Sequence, residues 1–192
     1  DSEVVNAMAL LTRRRPGLRI KLTLGKSDVL NQAVENGELD MAVVPAYPGV
    51  TFSCDQIPVN EDRIRVAARN GHPLLSASAL SLQDLGPYGW VMPSRDSAAR
   101  QVINAIFERA GLPPPHVNVE VEYTSEAVLG LVTGTDLITL APVSSLRGWA
   151  GRVVPLPLEM LVIPRTLVLI TRVNAVWSSL MTDFRDALLP AP

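Results

Sequence analysis

Apolar and polar residues alternate from Leu18 to Leu24, with Leu18, Ile20, Leu22 and Leu24 on one side and Arg19, Lys21 and Thr23 on the other. That two-residue period predicts a strand. Ser27 and Asp28 follow as candidate caps for a helix carrying Val29, Leu30, Ala33 and Val34, which Gly37 ends. Met41 to Val44 is unbroken apolar sequence, as expected of a parallel strand covered on both faces, so the stretch reads strand, crossover helix, strand. Before it, Val4, Met8 and Leu11 recur at helical spacing over roughly Glu3 to Arg15.

The same grammar repeats downstream. Ile64 to Ala68 and Tyr88 to Met92 are strand candidates, and Ser81-Leu82-Gln83-Asp84 resembles a short capped helix ended by Gly86. A helix with Val102, Ile103, Ile106, Phe107 and Ala110 on one face stops at Gly111 and Pro113-Pro114-Pro115. Val117 to Tyr123 alternates as a strand, Thr124-Ser125-Glu126 caps a helix closed by Gly134, and Leu137 to Ala141 and Leu167 to Thr171 are further strands. Trp177, Leu180, Met181, Phe184 and Leu188 stripe a last helix. Strands alternating with helices predict α/β architecture with mostly parallel pairing.

Composition narrows the function classes. The 192 residues are 47% hydrophobic in short runs, none near the ~20 residues of a membrane helix. Seventeen Lys and Arg against 19 Asp and Glu leave a net charge of -2, so bulk charge gives no case for nucleic-acid binding. Cys54 is the single cysteine, which excludes an intrachain disulfide. The chain begins at Asp1 and passes at once into a helical pattern, as expected of the middle of a longer protein.

Three hydroxyl-rich turns each end a predicted strand and open a predicted helix: Lys26-Ser27-Asp28, Pro93-Ser94-Arg95-Asp96-Ser97 and Thr124-Ser125-Glu126. Such turns can bring unpaired helix N–H groups and hydroxyls to one small polar or anionic ligand, and Lys26 and Arg95 would add positive charge. Ser, Thr and Asp are equally good caps where nothing binds. Catalytic signals are thin. No nucleophile elbow, phosphate loop, dinucleotide fingerprint or zinc spacing occurs, and His72 and His116 each lie beside a proline-marked loop. Glu35/Glu38 and Glu120/Glu122 read as solvated faces, and Arg13-Arg14-Arg15 as a complement to a helix dipole. We expect no enzyme activity, no cofactor and no metal.

The order of these pieces resembles a known family. A helix, a Pro16-Gly17 strand, Gly25-Lys26-Ser27, then Glu38-Leu39-Asp40-Met41-Ala42, His72-Pro73-Leu74, Ser81 to Leu85, Gly130-Leu131-Val132-Thr133-Gly134 and Leu140-Ala141-Pro142 are similar to the effector-binding domain of LysR-type transcriptional regulators. The resemblance implies two Rossmann-like lobes of the periplasmic-binding-protein type II kind, joined by two crossing strands near Asp62–Ala67 and Arg165–Ile170. The first lobe would hold 1–61 plus 167–192 and the second 62–166. Carried over by residue, the effector pocket in the cleft between the lobes would be formed by Lys26, Ser27 and Pro45, faced by Met92, Ser94 and Arg95, with Thr124 and Ser125.

The resemblance further implies a cytoplasmic bacterial sensor that works as a homodimer or tetramer. It would reach DNA only through an upstream winged helix-turn-helix, which this sequence does not contain. The family's central strand and hydroxyl-bearing turn before the first helix are also absent from it. An extracytoplasmic solute-binding protein and an enzyme of the same fold are the competing readings. Nothing in the residues identifies the effector.

Overall fold

The computed structural model describes residues 2–49 and 51–189. Asp1 and 190–192, at the ends of the expected first lobe, and Val50 lie outside the described residues. The elements run α1 (Ser2–Arg14), α2 (Ser27–Glu35), β1 (Met41–Ala46), β2 (Asp55–Arg69), β3 (Trp90–Pro93), α3 (Ala98–Arg109) and β4 (Val117–Val121). They continue with α4 (Glu126–Thr133), β5 (Ile138–Pro142), α5 (Val143–Leu146), β6 (Val153–Pro155), β7 (Ile163–Thr171) and α6 (Ser179–Leu188). The chain divides into two compact units, 1–62 with 165–192, and 63–164; β2 and β7 run from one into the other.

In the first unit β1 pairs with β7, from Met41 opposite Thr171 to Ala46 opposite Thr166. The pairing is antiparallel, a correction to the parallel strand expected from Met41–Val44. The apolar run has a different cause: both faces of this pair are covered. Val44, Val168 and Ile170 pack with Leu30 and Val34 of α2 on one face. Leu167, Leu169 and Val59 pack with Ala7 of α1 and Leu188 of α6 on the other. Only Val44 of β1 is fully buried, because β7 is its one ladder partner among the described residues. In α1 the buried pair is Ala7 and Leu11, with Val4 and Met8 half-buried, so the expected stripe is rotated toward a small residue that lets helices approach closely.

Leu18–Leu24 forms no strand, a second correction. Alternation supplies the propensity, but a strand also needs a hydrogen-bonded neighbour, and Ile20, Leu22 and Leu24 stand 40%, 53% and 69% exposed with none. At the end of α2, Gly37 (φ +76°) takes the left-handed position of a Schellman turn, with Gly37 N–H bonding Val34 O at 3.1 Å and Glu38 N–H bonding Ala33 O at 2.8 Å.

The second unit holds the parallel pairing. β3 lies parallel to β4 on one side and to β5 on the other, while β2 pairs antiparallel with β5 and with β6. The architecture is therefore mixed rather than mostly parallel. Val128, Leu129 and Val132 of α4 cover Val91 and Ala141, and Ile103 and Phe107 of α3 are buried with Trp90, whose ring meets Phe107 edge-on at 6.3 Å. Val102, expected on the buried face of α3, is 39% exposed, and Ala99 and Arg100 are buried in its place.

Candidate functional site

Because β3 and β4 are parallel and each is followed by a helix, the N-termini of α3 and α4 sit at one edge of the second unit's sheet. Four predicted residues gather there. Met92 is fully buried near the end of β3, Ser94 is buried just beyond it, and Thr124 and Ser125 follow β4. The hydroxyls do not cap as expected. Ser97 and Ser125 occupy the N-cap positions of α3 and α4 without a side-chain cap bond, and Thr124 Oγ1 donates instead to Leu140 O at 2.9 Å, tying the turn to β5. Neither N-cap side chain supplies an oxygen to the first-turn amides of its helix at that edge. Arg95 is exposed and lines a cavity of the same unit that also contains Arg100.

In the first unit Lys26 is the N-cap of α2 and makes no cap bond, and Ser27 is the first helical residue rather than the cap. Because α2 folds back on β1, Ser27 at the start of the helix and Pro45 near the end of the strand come to the same end of the unit. Tyr47, two residues past Pro45, hydrogen-bonds Arg165, and burial pushes its hydroxyl pKa up against the opposing pull of that guanidinium. Arg165 in turn donates from Nε (3.1 Å) and Nη2 (2.6 Å) to Asp62 Oδ2, a pair whose side chains are 10% and 5% exposed.

His72 is a structural residue. Its Nδ1 accepts from Leu74 N–H at 3.1 Å, which leaves the proton on Nε2 to donate to Asp136 O at 3.1 Å, and its ring packs against Tyr88 at 4.6 Å with the planes tilted by 58°. With both nitrogens committed and the ring buried, it has no free atom for acid–base work. Among the described residues no group of His, Cys, Asp or Glu is arranged to hold a metal, and no helix is long and apolar enough to cross a membrane.

A family model described as "LysR substrate binding domain" matches residues 2–191. The chain belongs to the LysR substrate-binding domain family. The HTH-type transcriptional regulator GbpR of Azospirillum brasilense is 31% identical over 139 residues, 71% of this LysR domain and 40% of that protein. A probable nitrogen assimilation transcriptional activator of Synechocystis is 26% identical over 67% of this domain and 42% of itself. The domain thus spans well under half the length of these relatives, which are regulators of transcription. Two solved structures share the fold. The Synechocystis CcmR regulatory domain in complex with 2-PG has a TM-score of 0.78 at 19% identity, covering 97% of this chain and 89% of that one. The QuiR effector-binding domain in complex with shikimate has 0.70 at 21%, covering 97% and 88%. The fold is that of LysR effector-binding domains, of the periplasmic-binding-protein type II kind.

Two features of this LysR domain were invisible in residue spacing. Asp62 and Arg165 are far apart in sequence and meet only because β2 and β7 bring them together. Arg100 lies outside the apolar positions expected to face inward on its helix, yet it is buried, with Nη1 donating to Pro93 O at 2.9 Å and to Glu120 Oε2 at 2.6 Å.

Proposed function

We propose that the chain is the effector-sensing part of a LysR-type transcriptional regulator, a cytoplasmic protein without enzyme activity that reads a small polar or anionic molecule. The residues proposed to contact the effector are Lys26, Ser27, Pro45, Met92, Ser94, Arg95, Thr124 and Ser125. The family match across residues 2–191 carries this reading. The N-cap serines of α3 and α4, which make no side-chain cap bond, support it, since amides at helix starts suit a negative or hydroxyl-bearing ligand. The signal passes through homodimer or tetramer contacts to an upstream winged helix-turn-helix. Coupling is then a difference in effector affinity between two assembly states.

A thermal-shift series with small organic acids and sugars tests the sensor, because a ligand of the native state must raise its melting temperature. Ser27→Ala, Ser94→Ala and Thr124→Ala each lose most of the shift given by a ligand that stabilises the parent, while remaining folded by circular dichroism. Three variants that bind as the parent does would refute the assignment.

A further inference from the structure

A cavity of about 690 Å³ lies wholly within the second unit, between α3, the start of β3 and the Pro113–Val117 loop. Its walls are apolar: Trp90 and Phe107 line it with the three prolines 113–115. Its polar groups are Arg95, Arg100, Asn104 and His116, with no carboxylate among them. Arg100 is the anchor. It is 6% exposed, its Nη1 is engaged by Pro93 O and Glu120, and its buried Nε has no hydrogen-bond partner among the described residues. A guanidinium carries five donors in a rigid fork, and leaving a buried donor unpaired is unfavourable, so an acceptor at this site is stabilised beyond its own attraction. Arg95 brings a second cation to the same lining.

We propose that this cavity is a small-molecule site for an aryl carboxylate, its ring against the prolines 113–115 beside the Trp90–Phe107 pair and its carboxylate on the Arg100 and Arg95 donors. The volume suits a ligand of that size. Planar bidentate recognition by arginine suits a carboxylate. The site is separate from the effector reading apart from Arg95.

The test is titration of the ¹⁵N-labelled chain with phenylacetate, its neutral analogue phenylacetamide and inorganic phosphate, followed at the Trp90 indole N–H and the Arg100 Nε–H. Phenylacetate shifts both signals saturably, and phenylacetamide binds about tenfold more weakly because it forfeits a charge-assisted bond. Asn104→Phe fills the cavity and abolishes the response. Glu120→Gln removes the competing charge and tightens binding several-fold, which keeps the test decisive should Asn104→Phe not fold. Equal affinity for the amide, a response to phosphate alone, or weaker binding by Glu120→Gln would overturn the proposal. Failure of the effector reading has a different signature, unmoved Ser94 and Thr124 amides, and leaves these two signals free to respond.

Discussion

Two ion pairs of the first unit have nearly the same closest contact and opposite surroundings. Arg165–Asp62 closes at 2.6 Å with side chains 10% and 5% exposed, and Arg15–Asp183 at 2.5 Å with 45% and 38%. If contact distance set their worth, Asp62→Ala and Asp183→Ala would be equivalent. Burial predicts otherwise. Removing Asp62 strands a largely buried guanidinium beside the neutral Tyr47 hydroxyl, and breaking a buried pair in this way costs about 4 kcal/mol. Removing Asp183 leaves Arg15 in solvent, where an exposed pair contributes about 0.5 kcal/mol. Urea unfolding followed by circular dichroism measures both, and for a chain of this size the Asp62 variant should melt roughly 10 °C lower. Asp62→Leu combined with Arg165→Leu should recover much of the loss, since the penalty lies in the orphaned charge. A cost for Asp62→Ala below about 1 kcal/mol, or equal to that of Asp183→Ala, would refute the reasoning.

Tyr47 titrates above its ordinary value of 10.0 because burial disfavours the phenolate. Its folded pKa exceeds its unfolded one, so its contribution to stability is complete below about pH 10 and is lost as pH rises toward the folded value. Ultraviolet titration should show one late tyrosinate that Tyr47→Phe removes, together with a smaller alkaline loss of stability. Gly37→Ala forces an L side chain to φ +76° with its Cβ 2.6 Å from Arg172 Nη1; about 1 kcal/mol of destabilisation is expected, read from the urea midpoint. His72→Ala strands Leu74 N–H and opens a gap beside Tyr88, and should lower stability by about 2 kcal/mol. For assembly, we expect a homodimer that Ala9→Glu converts to a folded monomer, because Val5 and Thr12 beside it are exposed on α1; light scattering that finds the parent monomeric at micromolar concentration would remove the expectation.

Elements whose pattern reports a local property were legible: α2, α3, α4 and α6 announce an apolar face and a stop signal, and each forms. What depended on a distant partner was not. Alternation at Leu18–Leu24 states a willingness to be a strand, and only a neighbouring backbone makes it one. The Met41–Val44 run correctly implied cover on both faces, but direction is set by β7, whose residues lie far along the chain. Short elements held by tertiary contact, α5 and β6, carried no periodicity to read. At the candidate site the hydroxyl turns were visible, whereas the destination of a hydroxyl was not. Thr124 lies one residue before the N-cap Ser125, and its hydroxyl goes to Leu140 O on β5, a partner supplied by the sheet.

The division of the chain also bears on the order in which it is made. Residues 63–164 are continuous, and every strand pairing of β3, β4, β5 and β6 is closed within them. The other unit is split: β1 finds its ladder partner only in β7, and α1 is covered by α6, both from the far end. On the ribosome the inserted half can therefore reach its native state while α1, α2 and β1 wait, with their apolar faces open, for β7 and α6 to emerge. Those waiting residues are where a chaperone would bind and where a premature stop would do its damage. A chain ending before β7 should yield a folded half attached to an unfolded, protease-sensitive one, rather than a protein that is uniformly weakened.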